Sequence, residues 1–393
     1  MSLYAEYAEE WFNTFSVRRT ITYITSLIIY MRRVLMILLT LVVLQQVGYS
    51  QSKIENIIIV TTDGLRWQEV FGGMDSVIAN NEMYHKGDSS EIFEKFWAES
   101  PTERRKKLMP FLWSTIEKNG QLYGNRNFDN KVDIANPYKF SYPGYNEIFT
   151  GFPDVKVNSN EYPNNPNTTI LDFLQKQPGY KNRIAAFCAW EAYNRILNEP
   201  RAGFPVVAAF DTLTDSKLTS GQLLLHKMTR NSFRPFHAEG CMDMLTYYQA
   251  MEYLQSRKPK VLYVAYLETD GWAHRGDYRL YLNAANQVDK WLEDIWTTIQ
   301  SIPQYKNKTA LFITTDHGRG DKTKSKWTAH GVGVEDAHEI WFAVMGPGIN
   351  GKGEIKTPAQ FYQKQFAQTM ASLLGFTFTA EHPIGDKIEE ILK

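Results

Sequence analysis

"TALFITTDHG", residues 309–318, is a run of seven apolar or β-favouring residues that meets Asp316 and His317 and then a glycine. A continuous run of this kind marks a strand covered on both faces, as in a parallel sheet. "NIIIVTTDG" (56–64) and "KVLYVAYLETDG" (260–271) repeat the design. "HEIWFAVMGPGI" (338–349) reads as a fourth strand closed by a Gly-Pro-Gly turn, and "RIAAFCAW" (183–190) as a weaker fifth. Between them, "RLYLNAANQVDKWLEDIWTTIQ" (279–300) has the three- and four-residue apolar spacing of a helix, and a final helix is expected near 359–374. The alternation predicts an α/β fold: an open, mostly parallel central sheet with helices on both faces.

The rest of the chain bounds the reading. At 393 residues it is long enough for a large core, and 43% apolar with 22% charged residues is globular composition. Lys+Arg and Asp+Glu number 43 each, so nothing recommends a nucleic-acid polymer as partner. Cys188 and Cys241 make no disulfide framework; one bridge and two buried thiols are both open. "MRRVLMILLTLVVLQQVGYSQ" (31–51) runs from Arg32 and Arg33 through an apolar stretch to small and polar residues, the order of a secretory signal. Cleavage is expected near Ser50, which leaves 39 basic against 40 acidic residues. The rival is a membrane anchor, disfavoured by two arginines in mid-span. The expectation is an exported protein, periplasmic or secreted, touching a membrane only through an uncleaved N-terminal segment. Residues 51–393 are expected to form one domain, with a cap or insertion within 155–260 and 195–245 as its least classifiable part. "NSNEYPNNPNTT" (158–169) reads as a surface loop.

Three strands end in an aspartate followed closely by glycine: Asp63, Asp270 and Asp316. Singly, each is a turn or helix cap. Jointly they would crowd one sheet edge with negative charge, where open α/β sheets carry their ligand sites, unless cations lie between them. Histidines fall in step: His274 four residues after Asp270, His317 beside Asp316, and His330 in "TAHGVG", three of only eight in the chain. Carboxylate with imidazole and no thiolate suits Zn²⁺, with Mn²⁺ or Fe behind it, and six such ligands suit two ions. Two ions can clamp the attacking and leaving oxygens of an in-line displacement, which points to phosphoryl or sulfuryl transfer. "NPYKFSYPGYNEIFTGFPD" (136–154) supplies Ser141, either an ordinary N-cap or a nucleophile at a helix start.

The set "TTDG", "SYPGYNEIFTG", "ETDGWAH", "TTDHG" and "AHG…EIWFAVMGPG" resembles the alkaline phosphatase superfamily, and is most similar to the branch of nucleotide pyrophosphatase/phosphodiesterases and related predicted phosphatases. The resemblance runs from about residue 54 to 375 with the motifs in the family's order. It implies an alkaline-phosphatase-like three-layer sandwich and a metal-dependent hydrolase of phosphate mono- or diesters. By the same resemblance, Asp63, Asp316 and His317 hold the ion that activates Ser141, and Asp270, His274 and His330 hold the second. Ser141 would carry the phosphoryl group as an intermediate. Asn160 would contact a phosphoryl oxygen, with Asn158 and Asn164 as competitors, and Arg319 would reach the substrate anion unless it is a solvent-facing loop residue. His330 is preferred over His338 as the last ligand. His85, His226, His237 and His382 have no motif context. Two departures stand out. Pro143-Gly144-Tyr145 replaces the diesterase branch's Pro-Asn-His, and the sulfatase x-Pro-x-Arg signature is absent, with Tyr145 where the arginine belongs. The alternatives are an exported metal-binding protein without catalysis, or a sulfatase or phosphotransferase of the same superfamily.

Overall fold

The computed structural model describes residues 23, 25, 27–37, 54–214, 216–237 and 239–392. The chain divides into two compact units, Met1–Gln51 and Ser52–Lys393. In the first, the described residues are helical and exposed. Most of the expected signal segment, 38–50, lies outside the described residues. Among the described residues no helix is long and apolar enough to cross a membrane.

Among its described residues the second unit carries eleven strands: β1 (Asn56–Thr62), β2 (Gly120–Tyr123), β3 (Asn130–Asp133), β4 (Ile184–Cys188), β5 (Val206–Ala208), β6 (Val261–Tyr266), β7 (Thr309–Thr315), β8 (Glu339–Ile340), β9 (Phe342–Met345), β10 (Gly353–Glu354) and β11 (Ala359–Tyr362). Eight form one sheet in the order β10-β2-β9-β7-β1-β6-β4-β5, and β11-β3-β8 form a small second sheet. β7, β1, β6, β4 and β5 are parallel, whereas β9 runs antiparallel to β7 and to β2.

Why the runs had to be continuous is visible in the packing. Side chains alternate across a pleated strand, and both faces here are covered. Ile58, Val60, Leu262, Val264, Leu311 and Ile313 enter one core with helices Asp243–Arg257 and Tyr278–Ser301. Ile57, Ile59, Val261, Tyr263, Ala310 and Phe312 enter the opposite core with helices Ser141–Thr150 and Phe366–Leu373. The result is three layers, helix–sheet–helix.

The structure departs from the sequence reading in two places. The segment 338–349 is not one strand: β8 joins the small sheet and β9 the large one, with Trp341 buried between them. The final helix starts later than expected, because 359–362 pairs as β11 with β3, and only Phe366–Leu373 is α-helical. Within 155–260, the strand expected at 183–190 is β4, and β4 and β5 both join the central sheet. Cys188 and Cys241 are both free and buried.

Candidate active site

Register decides where the acids go. Thr62 on β1 is level with Thr315 on β7 and Tyr266 on β6, so Asp63 and Asp316 leave the sheet side by side at its carboxyl edge. Asp270 arrives differently. The buried carboxylate of Asp243 accepts the backbone N–H groups of Leu267 (2.7 Å) and Glu268 (3.0 Å), which ends β6 four residues short of the aspartate. A helix, Glu268–His274, follows, and its i,i+4 spacing places Asp270 and His274 on one side. His274 Nε2 lies 3.2 Å from Asp270 Oδ2.

Two groups of side chains result, each with ligand atoms within 4.8 Å of one another: Asp63, Asp316 and His317, and Asp270, His274 and His330. The groups adjoin, since His317 Nε2 is 3.3 Å from Asp63, 3.5 Å from Asp316 and 3.9 Å from Asp270. The rings of His317 and His330 stack with centroids 3.9 Å apart. Asp316 and His317 do share one side, because the chain has left strand geometry at Thr315. Gly318 can turn there because only a hydrogen fits: a Cβ would stand 2.2 Å from the carbonyl oxygen of Glu339.

Several observations test whether this shell fits cations. Oδ1 of Asp63 and Oδ2 of Asp316 are buried and accept no hydrogen bond. Such orphaned acceptors are costly unless something positive meets them. Burial, then the neighbouring Asp270, pushes the Asp63 carboxyl well above its ordinary range. Burial, then Asp63, raises Asp316 to about 8. His317 Nδ1 is 2.9 Å from the Gly318 carbonyl and His330 Nδ1 is 3.2 Å from the Lys139 carbonyl. In the neutral ring each Nδ1–H donates there, which leaves Nε2 as the lone pair facing the acids. His274 is less constrained: Arg319 Nη2 approaches its Nδ1 at 3.4 Å, and its Nε2 is 2.9 Å from His330 Nε2. The donor set fits two oxygen- and nitrogen-ligated divalent ions.

Ser141 is not spent as a cap. Phe140 occupies the N-cap position of helix Ser141–Thr150, and the serine hydroxyl lies 3.4 Å from His317 Nε2. Gly144, one turn on, is pressed on the strand end; a Cβ there would stand 2.5 Å from the Asp316 carbonyl oxygen. Tyr145 donates its hydroxyl to Asp63 Oδ2 at 3.1 Å, so the residue in the missing arginine's place orients a carboxylate. Gly64, at φ +57°, packs under both groups. A Cβ there would come within 2.9 Å of Arg319, 3.0 Å of His317 and 3.1 Å of Asp270.

Arg319 is a correction. It is neither solvent-facing nor turned to the cleft. Its guanidinium is buried, pairs with Asp270, and donates to the carbonyls of Trp327 (2.8 Å) and Thr328 (2.6 Å). Burial alone would raise the Asp270 carboxyl, but Arg319, followed by His274 and His330, holds it well below the usual range. His338 lies apart, with Nε2 3.7 Å from Asp133. Asn160 borders the cleft and accepts the Tyr142 N–H at 3.0 Å, whereas Asn158 and Asn164 are exposed and do not line it.

The cleft is about 400 Å³ in volume, with Asp63, Ser141, Asp270, His274 and His330 among its lining residues. Its outer wall is Trp190, Phe236, His237, Gly240, Leu267 and Arg275. No local pattern announced that wall. Phe236 lies against Gly271, where a Cβ would meet its ring at 2.3 Å, and Arg275 covers it with its guanidinium 4.7 Å from the ring centre.

The sulfatase family profile matches residues 139–376. GPI ethanolamine phosphate transferase 1 of Mus musculus is 28% identical over 136 residues, 30% of this chain and 14% of that protein. The protein of the same name from Aspergillus fumigatus is 33% identical over 98 residues, 24% of this chain and 9% of that one. The matched stretches are thus a small part of those relatives. Among solved structures, the alkaline phosphatase PafA aligns with a TM-score of 0.57 at 11% identity, over 87% of this chain and 99% of that one. The lipoteichoic acid synthase LtaP of Listeria monocytogenes gives 0.53 at 15%, over 87% and 76%. A phosphonate monoester hydrolase of Agrobacterium radiobacter gives 0.54 at 12%, over 86% and 77%. At these identities the likeness is one of fold: a mixed sheet flanked by helices, as in the alkaline phosphatase group.

Proposed function

This chain belongs to the sulfatase family, within the alkaline phosphatase superfamily of hydrolases and phosphotransferases, and from that premise we propose that it cleaves phosphate esters through a phosphoseryl intermediate on Ser141. The observation that carries this reading is a buried serine at a helix start, unspent as a cap, beside two acid–imidazole groups, of which the one holding Asp63 and Asp316 has two orphaned carboxylate oxygens. Asp63, Asp316 and His317 would hold one divalent ion and Asp270, His274 and His330 the other, with zinc the best match to the donors. When bound, such ions neutralise the acids, acidify a hydroxyl and stabilise charge on the transferring group.

The chain's own residues do the rest. Helix Ser141–Thr150 presents the serine oxygen to phosphorus. Its attack breaks the bond to the leaving alcohol, and water then cleaves the phosphoseryl ester. Asn160 has its carbonyl oxygen held by the Tyr142 N–H, so its amide nitrogen is the group left to donate to a phosphoryl oxygen. Nδ1–H donation to backbone carbonyls keeps the His317 and His330 rings aimed. Sulfate esters rank lower, because Tyr145 fills the position of the signature arginine and donates to Asp63 instead. Export from the cytoplasm remains part of the proposal, on the order of charges and apolar residues in 31–50.

A second reading draws on the matched transferases: an alcohol rather than water receives the phosphoryl group. The test uses p-nitrophenyl phosphate and bis-p-nitrophenyl phosphate with the zinc-loaded full chain, with and without excess alcohol. Hydrolysis that vanishes in Ser141→Ala, while metal content is retained, is the expected result. Full activity in that variant sinks the mechanism, and a dominant transfer product moves the assignment to phosphotransferase.

A further inference from the structure

Helix Ser220–Asn231 is built inside out. Its buried side chains are polar: Gln222, His226 and Thr229. Leu223, Leu224 and Met228 face outward, with Leu224 58% exposed, and Phe233 just beyond the helix is 80% exposed. Gln222 and Thr229 are hydrogen-bonded, whereas Nε2 of His226 is buried without a partner. Gln222 accepts the Thr219 N–H at 3.0 Å and donates to Ser256 at 3.3 Å, and Gln249 reaches the Thr229 hydroxyl at 3.5 Å. A polar seam therefore docks this helix on helix Asp243–Arg257, and the apolar face is turned outward.

The charge around that face is of one sign. Residues 216–237 hold Lys217, Lys227, Arg230 and Arg234 and no Asp or Glu, in a chain whose totals are 43 and 43. Asp215 and Glu239 bound the stretch. The nearest carboxylate of the neighbouring helix, Glu252, is partly buried and accepts from Thr219 and Ser256. Lys227 and Arg230 are exposed beside the leucines. Helices with leucine, methionine and phenylalanine on one side, flanked by lysine and arginine, lie in the boundary of an anionic bilayer. A second copy of the chain is a poor occupant, since two-fold pairing sets four cations against four.

We propose that the outward face of Ser220–Asn231, with Phe233, docks on an anionic lipid surface. The inference goes beyond the reaction class and holds for hydrolase or transferase alike. It also places the cleft near the lipid. Phe233 and the cleft-lining Phe236 are three residues apart, at most about 11 Å along the chain.

The test uses the full chain with Phe233→Cys carrying an environment-sensitive fluorophore; Cys188 and Cys241 are buried, so the new thiol is the one that reacts. Residues 1–50 are common to every protein compared. Vesicles of equal parts phosphatidylcholine and phosphatidylglycerol should shift the emission to the blue, and phosphatidylcholine alone should not. Adding Leu224→Gln and Met228→Gln should raise the lipid needed for half the shift about tenfold or more. Unchanged thermal melting certifies that this variant is folded. No shift on anionic vesicles overturns the proposal, and so does an equal shift on neutral ones. A probe already blue-shifted without lipid also overturns it, because the face is then covered by another copy or by the chain's own N-terminal segment.

Discussion

Replacing Gly144 by alanine should slow the enzyme without altering any group proposed to react. The new methyl would stand 2.5 Å from the Asp316 carbonyl oxygen and 3.1 Å from its carbonyl carbon. Restoring an ordinary 3.4 Å contact requires about 0.9 Å of movement. Neither side yields cheaply. Gly144 is in a wholly buried helix, and Asp316 is tied through its carboxylate to the Gly64 N–H (3.0 Å) and through its carbonyl to Gln363 (2.8 Å). Overpacking of this kind costs about 1–3 kcal/mol. The larger effect is catalytic, since helix Ser141–Thr150 must back away from the strand that carries Asp316 and His317. A displacement near 1 Å at a nucleophile costs on the order of 10²-fold in rate. The assay is kcat/KM on the nitrophenyl esters, with melting temperature alongside. Gly72→Ala, at a position with nothing within 4 Å, is the control and should be neutral. Wild-type kcat/KM in Gly144→Ala would refute the claim that this contact sets the serine's position.

Asp289 offers a pH test away from the site. Burial pushes its carboxyl up to about 7, against two backbone N–H donors, Phe111 and Leu112. The folded chain therefore keeps a proton that the unfolded chain releases near 3.8, so stability falls as pH rises between those values, by at most about 1.4 kcal/mol per unit. Asp289→Asn lacks that slope, and its melting temperature relative to wild type should climb from pH 5 towards 7; a constant difference contradicts this. Arg319→Ala leaves Asp270 buried without its guanidinium and should cost about 3–5 kcal/mol in denaturant unfolding of the metal-free protein. Unaltered stability would show that the pair contributes nothing.

The parts legible in the sequence are those whose cause is local. A doubly covered strand must be apolar on both faces, so β1, β6 and β7 announced themselves, and Asp63 and Asp316 followed because those strands end directly at them. Asp270 was found as a residue but misplaced as structure, because β6 is cut short by Asp243, distant in sequence from the strand it stops. Arg319 looked like a loop arginine because the carbonyls and carboxylate that bury it come from other segments. Tyr145 was within reach of the sequence: it lies four residues after Ser141, one helical turn on. The cleft wall was not. Trp190, Phe236 and His237 carry no periodic signal, and their meeting depends on Gly271 leaving room for an aromatic ring. The outward face of helix Ser220–Asn231, within the stretch the sequence leaves least classifiable, was not legible either, since hydrophobic periodicity says which face is apolar and not which way that face points.

Gly64 has a consequence for how such an enzyme can change over generations. Its missing side chain lets Arg319, His317 and Asp270 close on one Cα. Both groups of acids and imidazoles therefore rest on a shared keystone, and neither half can drift without disturbing the other. Novelty has to enter elsewhere. The wall of Trp190, Phe236 and His237 comes from a separate stretch of chain and meets that block at its edge. New substrates should thus be acquired by rewriting 189–240 over an inherited and nearly immutable floor.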